Sequence, residues 1–333
     1  MEKVNVAVLG ATGAVGRTMI RILQERRFPM RSLKLLASPH SAGKVIDLGG
    51  KTGIVEEFSP AALKDVDLVF GAVDNDLAKE YAPLICRSGA LFVDNSSAFR
   101  LDEDVPLVIP EINARDIRWH HGIVANPNCA TVLAMMALSP ILKLTRVKRM
   151  IVSTYQAVSG AGMKGMEELE RQIRDPSAAS EVFPFPIAFN VIPQIGDFDE
   201  NGISAEEWKM QNEGRRILHD GALQVSCTCV RVPVYRCHSE SIYVETETEV
   251  SLDAIRQAAE ECPGLVLNEA PYPTPKECTD SDAVVIGRLR QDGACKQGLH
   301  LWCCCDQLRK GAATNAVQIG EWAWKNGLLK KGV

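Results

Sequence analysis

Cys129 stands in NPNCATVLAMM (126–136), where a polar turn runs into an apolar stretch of helical spacing. A thiol becomes a nucleophile when its pKa is lowered or a base takes its proton. A helix N-terminus supplies the first, through its positive dipole end and unpaired amides. Pro127 and two asparagines mark the boundary, and Asn128 reads as the helix cap. The amides beyond that cap could also hold an oxyanion. The competing reading is a small residue packed at a helix start. The chain has 11 cysteines, and no other has comparable surroundings. A histidine partner is expected. His238 follows RVPVYRC at the join of two strands, seven residues after Arg231, and is modestly favoured over His300 in the strand LHLW. His40 belongs to a cofactor loop, His120 and His121 to a charged loop, and His219 to a basic helix end.

A second chemistry lies at the start of the chain. Gly10, Gly13 and Gly16 in GATGAVG sit where an apolar β-branched run, VNVAVLG, hands over to a helical pattern. This GxxGxxG loop, with Thr12, Ala14 and Val15 between its glycines, predicts a tight turn, close backbone approach to a diphosphate and helix amides aimed at negative charge. The next strand ends in LASPHSAGK without the carboxylate that accepts from ribose hydroxyls in an NAD site. Ser38, His40, Ser41 and Lys44 are donors or cations suited to a 2′-phosphate, which favours NADP over NAD. A plain polar loop is the alternative.

Positioning these groups requires two kinds of sheet. Apolar runs at 4–10, 33–38, 67–73, 90–96 and 106–110 alternate with helical stretches, as in a parallel sheet with helices on its faces. Beyond about residue 128 a helix, a long strand and a charged helix follow, then an irregular excursion over 175–205. EEWKMQNEGRRIL restores helical spacing. LQVSCTCVRVPVY and SESIYVETETEV, close in sequence, read as antiparallel neighbours, and AVVIGRLR and LHLWCCCD add two strands. The expectation is a mostly antiparallel sheet with helices on one face. GAATNAVQIGEWAWKNGLL closes the chain as a helix.

The 333 residues, 46% hydrophobic and 24% charged, suit a soluble protein of two domains. A net charge of −5 without a basic aromatic-laced run argues against nucleic acid. The longest apolar stretch is far short of the ~20 residues of a membrane span, and the start lacks the pattern of a signal peptide. A cytoplasmic location is expected. The cysteines form no metal-binding pattern: Cys227 and Cys229 have no matching second pair, and Cys303, Cys304 and Cys305 alternate faces along a strand. No metal is expected, and Cys303–Cys305 are expected buried and reduced.

Taken in order, GATGAVG, NPNCAT, QAVSGAG, EEWKMQNEGRRIL, RVPVYRCHS and LRKGAATNAVQI resemble the segments of aspartate-β-semialdehyde dehydrogenases, over nearly the whole chain. The resemblance implies an α/β fold: a Rossmann-type parallel-sheet domain over 1–128, completed by a C-terminal helix in 310–333, and an α+β catalytic and dimerisation domain over 129–309. It implies Cys129 as nucleophile, His238 as acid/base and Gln156 as the group orienting the thioacyl intermediate. Arg231 pairs with the substrate carboxylate, and Glu206 with its ammonium. Lys209, Arg100 and Asn128 hold phosphate. Ser159, Gly160 and Asn315 join the coenzyme residues, with Asn315 near the nicotinamide. The implied reaction is the reversible NADPH-dependent reduction of an acyl phosphate, β-aspartyl phosphate, to the semialdehyde. It serves lysine, threonine and methionine synthesis, in a homodimer or homotetramer.

Two departures stand out. His40 occupies the place where the family often has arginine, a weaker and pH-dependent phosphate partner that relaxes NADP preference towards dual use with NAD. The loop GAVDND (71–76) replaces a commoner glycine-rich loop, and Asp74 and Asp76 either disfavour a phosphate or face solvent. N-acetyl-γ-glutamyl-phosphate reductase is a rival of the same chemistry, but its cysteine has glycine before it and a bulky residue after. A catalytically dead paralogue would have lost the cysteine, histidine or arginine.

Overall fold

The computed structural model describes residues 2–329. It divides into two compact units, Met1–Pro127 with Ala312–Val333, and Asn128–Gly311. The tail 330–333 of the expected C-terminal segment lies outside the described residues.

The first unit is built on β1 (Val4–Leu9), α1 (Ala14–Glu25), β2 (Met30–Ala37), β3 (Val45–Asp47), β4 (Thr52–Glu57), β5 (Leu68–Gly71), α2 (Asn75–Arg87), β6 (Leu91–Asp94), α3 (Pro110–Asn113) and β7 (Ile123–Ala125). Its sheet runs β3-β4-β2-β1-β5-β6-β7, and only the β3–β4 pair is antiparallel. Strands buried on both faces explain the continuous apolar runs. On one face Met19, Ile22 and Leu23 of α1 pack with Phe70 and with Val317 and Ile319 of the C-terminal helix, Thr314–Lys325. Gly320 permits this contact, since a Cβ there would meet Phe70 Cζ at 2.7 Å. On the other face Ala82 and Ile85 of α2 join Val69 and Phe92. The run 106–110, expected as a strand, makes only an isolated bridge from Leu107 to Ala125. Pro106 and Pro110 bracket it and lack ladder donors, and Pro110 opens α3 instead. The strand at this edge of the sheet is β7, only three residues long.

The second unit comprises α4 (Cys129–Leu142), β8 (Val147–Gln156), α5 (Gly162–Arg174), α6 (Ala205–Ile217), β9 (Gln224–Arg231), β10 (His238–Thr246), α7 (Leu252–Glu260), β11 (Leu265–Leu267), α8 (Pro275–Cys278), β12 (Val284–Gln291) and β13 (Gly298–Cys305). The sheet order is β11-β12-β13-β10-β8-β9. The strands β9 and β10, expected to pair, are separated by β8, which lies parallel to β9 and antiparallel to β10. The chain between β8 and β9 contains α5 and α6, a crossover long enough for parallel pairing. The helix α4 is apolar all round and buried from Ala130 to Leu138, as befits a helix covered by α6, α7 and four strands.

None of the 11 cysteines, all among the described residues, forms a disulfide. Cys303, Cys304 and Cys305 are fully buried. Among the described residues no group of His, Cys, Asp and Glu is arranged to hold a metal ion, and no helix is long and apolar enough to cross a membrane.

Candidate active site and coenzyme loop

Cys129 is the first residue of α4, and Asn128 is its cap: Asn128 Oδ1 accepts from Ala130 N at 2.9 Å and Thr131 N at 3.3 Å. The sulfur therefore sits at the positive end of a 14-residue helix. Both donor groups of Asn128 point to carboxylates. Its N–H donates to Glu213 Oε2 at 2.7 Å, and its Nδ2 to Glu206 Oε1 at 2.8 Å. Glu213, seven residues after Glu206 on the same face of α6, was missed in the sequence although its spacing was available.

Glu206 is a hub. Its Oε1 also accepts from Gln156 Nε2 at 3.1 Å, and its Oε2 pairs with Lys209 Nζ at 3.1 Å. Burial raises a carboxyl pKa, but Lys209 and the donors Asn128 and Gln156 outweigh it and bring Glu206 down to about 2. The ion pair is short because positions three apart share a helix face. Thus α4, β8 and α6 converge on one ionised carboxylate.

The sheet supplies the opposite wall. Gln156 lies beside Arg231 in the parallel β8–β9 register. One step past the Ser239–Tyr155 pair, the antiparallel β8–β10 register brings His238 level with Gln156 on the other side. Arg231 Nη1 donates to Ala157 O at 2.6 Å, and Ala157 N donates to His238 Nδ1 at 3.1 Å. Burial first, and then the nearby Arg231 charge, depress the His238 pKa to about 3. Arg231 in turn is lowered by burial and supported by Glu206 and by its interaction with Cys129. His300 belongs elsewhere. It pairs with Asp292 at 2.7 Å and its ring lies tilted against Tyr243, on the sheet face opposite that of His238. His120, expected in a charged loop, is buried, with Gly122 N donating to its Nδ1.

The structure thus gathers Asn128, Cys129, Gln156, Glu206, Lys209, Arg231 and His238 in the second unit. Gly160 lies against them: a Cβ there would stand 2.7 Å from Arg231 Nη1 and 3.3 Å from His238 Nε2. Ser159 accepts from Gln307 Nε2 in the same unit. The main chain of Ala157, which no sequence signal marked, links the histidine to the arginine.

The remaining candidates lie in the first unit. Gly10 has φ 81°, and a Cβ on it would meet Ala72 O at 2.3 Å. A Cβ on Gly16 would meet Gly10 O at 2.2 Å, so neither position admits a side chain. Gly13 starts α1 with no side-chain cap and no acid in the first turn. Thr12 and Lys44 both reach Ser41 Oγ, at 3.5 and 3.2 Å, which ties the glycine loop to the end of β2. Ser38 and His40 are exposed. Arg17, unremarked in the sequence, is exposed with Nε on Thr12 O at 3.1 Å. Ala14 and Val15 are half-buried. Arg100 donates to Asn126 O and Asn95 O, and Asn315 Nδ2 to Val108 O and Asn126 Oδ1. Asp74 caps α2, accepting from Leu77 N at 3.0 Å, while Asp76 is exposed in the first turn.

Comparison with known proteins matches residues 5–120 to "Semialdehyde dehydrogenase, NAD binding domain" and residues 138–310 to "Semialdehyde dehydrogenase, dimerisation domain". The chain is 44% identical to the aspartate-semialdehyde dehydrogenase of Aquifex aeolicus, over 97% of this chain and 99% of the relative. It is 42% identical to that of Bacillus subtilis, over 95% and 96%. A crystal structure of aspartate semialdehyde dehydrogenase II from Vibrio cholerae, complexed with ASA, superposes with a TM-score of 0.95 at 40% identity, over 98% of this chain and 99% of that one.

Proposed function

The chain belongs to the aspartate-semialdehyde dehydrogenase family, and on that premise we propose the following reading. It reduces L-4-aspartyl phosphate to L-aspartate 4-semialdehyde and phosphate, reversibly, in the branch of amino-acid synthesis leading to lysine, threonine and methionine. The observation that carries it is the charge pattern around a helix-capped cysteine. Arg231, Glu206 and Lys209 offer a cation, an anion and a second cation, and the substrate carries a carboxylate, an ammonium and a phosphate. In the absence of substrate, Lys209 and Glu206 satisfy one another. On binding, the ammonium shares Glu206, and Lys209 turns to phosphate with Asn128. Arg231 keeps one nitrogen on Ala157 O and offers its fork to the α-carboxylate.

Cys129 attacks the acyl carbon as a thiolate, favoured by the start of α4 and by Arg231. Gln156 and His238 face the reacting oxygen of the thioester. The nicotinamide coenzyme, when bound, supplies hydride to the thioester carbon. The residues of the first unit fit such a group: Gly10 and Gly16 occur where no Cβ is tolerated, and the start of α1 has amides without a side-chain cap. Lys44, Ser41 and Ser38, with His40 and Arg17, suit the 2′-phosphate of NADP, with NAD accepted less well. In this reading the first unit holds the coenzyme, with Asn315 contributing at its nicotinamide end. The second unit does the chemistry and forms a homodimer or a homotetramer.

The test is reduction of NADP by the purified protein with aspartate semialdehyde and phosphate. Activity should require phosphate and fall by at least about a thousandfold in Cys129→Ala; a variant that keeps activity ends the proposal. Comparing kcat/KM for NADP and NAD checks the coenzyme, and a clear NAD preference contradicts the role given to Ser38–Lys44.

A further inference from the structure

Arg231 is held from three directions, and two of the holds come from the irregular stretch that follows α5. Strand β9 lies at the edge of its sheet. Ile192 closes that edge by exchanging both main-chain hydrogen bonds with Arg231, at 2.9 and 2.8 Å. At the side chain, Nη1 donates to Ala157 O at 2.6 Å. The third hold is on the flat face of the guanidinium, whose carbon lies over the ring of Phe183, 5.8 Å from its centroid. A guanidinium directs its five N–H donors in its own plane, so an aromatic ring can cover its face without engaging any of them. The negative ring face attracts the cation, and more strongly where water is excluded. Both residues are buried.

Phe183 is itself fixed from α5. Glu168 and Gln172 share one face of that helix, both buried, and reach the stretch through its main chain. Glu168 Oε2 accepts from Glu181 N at 2.8 Å and Val182 N at 2.6 Å, and its Oε1 accepts from Phe183 N at 3.4 Å. Gln172 Oε1 accepts from Ile187 N at 2.8 Å and Ala188 N at 3.2 Å. A segment with no helix or strand of its own thereby has its amides satisfied and one conformation selected. The ring packs with Val158, Leu169, Ile187 and Ile192. Gly165 leaves it room, since a Cβ there would meet Phe183 Cζ at 3.1 Å.

We propose that Phe183 is a positioning residue for substrate recognition, its ring fixing the plane of the Arg231 guanidinium so that the open edge meets the substrate α-carboxylate. The segment 181–192 is then a cradle for one arginine, gripping its main chain at Ile192 and its side chain at Phe183. The proposal rests on the dehydrogenase reading above and adds a specificity element outside the segments that carry the chemistry. The physical gain is preorganisation. An unsupported arginine side chain loses rotamer entropy when a ligand fixes it. One already held at edge and face has lost that freedom on folding, and a carboxylate meets a fork in the right plane. The α-carboxylate is remote from the reacting carbon, so the effect falls on KM and leaves kcat nearly unchanged.

The experiment compares two replacements at position 183 in the full-length protein. Phe183→Leu keeps apolar bulk and removes the ring; 3,4,5-trifluorophenylalanine keeps the shape and withdraws negative charge from the ring face. With phosphate and NADP, KM for aspartate semialdehyde should rise about 10–30-fold in the first and about 3–10-fold in the second, as for a desolvated cation–π contact. In both, kcat should stay within about threefold of wild type. With 3-aminopropanal, which lacks the α-carboxylate, both variants should match the wild-type kcat/KM within about twofold. A packing role alone leaves the fluorinated protein unchanged and lowers the leucine variant equally on both substrates; either result overturns the proposal. The fluorinated ring preserves packing, so it decides the question if leucine destabilises the fold. An arm independent of turnover is NMR of protein labelled with 15N-arginine, the Arg231 signals identified by their loss in Arg231→Lys. Their N–H protons should lie upfield through the ring current of Phe183 and move downfield in Phe183→Leu; no movement refutes the contact. If the wild-type protein lacks aldehyde activity altogether, the dehydrogenase reading fails, while the arginine signals still decide whether Phe183 holds Arg231.

Discussion

Glu206→Gln probes the centre of the site, because it removes a charge and keeps the shape. Glu206 titrates at about 2 against an ordinary value of 4.5. At ~1.4 kcal/mol per factor of ten, that difference corresponds to about 3 kcal/mol of folding stability. The folded-state pKa is depressed, so the contribution is fully present above pH 4.5 and lost as pH falls towards 2. In the variant the amide oxygen still accepts from Asn128 and Gln156, but Lys209 faces a neutral group. Denaturant unfolding of both proteins at equal concentration should show the variant weaker by about 3 kcal/mol at pH 7 and at pH 5.5, since neither lies within the window. Below pH 4.5 the wild type should lose its advantage by up to about 1.4 kcal/mol per pH unit, so the two curves converge. KM for aspartate semialdehyde should rise in parallel, as the ammonium loses its counter-ion. A stability gap that stays constant down to pH 3, or no gap at pH 7, refutes the assignment of Glu206 as a buried ionised hub.

Two further outcomes follow from close contacts. Gly160→Ala should lower kcat/KM by about 10–100-fold with little change in secondary structure, because its Cβ at 2.7 Å from Arg231 Nη1 forces the guanidinium off Ala157 O, a charged hydrogen bond worth ~1.5–3 kcal/mol. Unaltered kinetics would falsify that close approach. Cys303, Cys304 and Cys305 should resist thiol reagents in the native protein and react only on unfolding, since all three are fully buried and burial raises the thiol pKa of Cys303 and Cys305; rapid native labelling counted by mass spectrometry contradicts this.

The local chemistry was legible in the chain because it depends on neighbours in sequence. The tight turn at Gly10–Gly16, the cap at Asn128 and the Glu206–Lys209 pair on one helix face follow from short spacings whose geometry is set by the backbone. Strand pairing was another matter. Proximity in sequence suggested a β9–β10 hairpin, and only the folded sheet inserts β8 between them. That insertion is what brings Gln156 between Arg231 and His238, a relation no periodicity contains. Spacing only modestly favoured His238 over His300 and the resemblance made the choice, since both lie in strands and the facing side depends on register. Ala157 marks the limit most clearly. An alanine has no side-chain chemistry to notice, and its importance lies in a main-chain N–H and C=O that every residue possesses. The sequence by itself determined which groups could react; the tertiary fold decided which of them meet, because that depends on strand order and register.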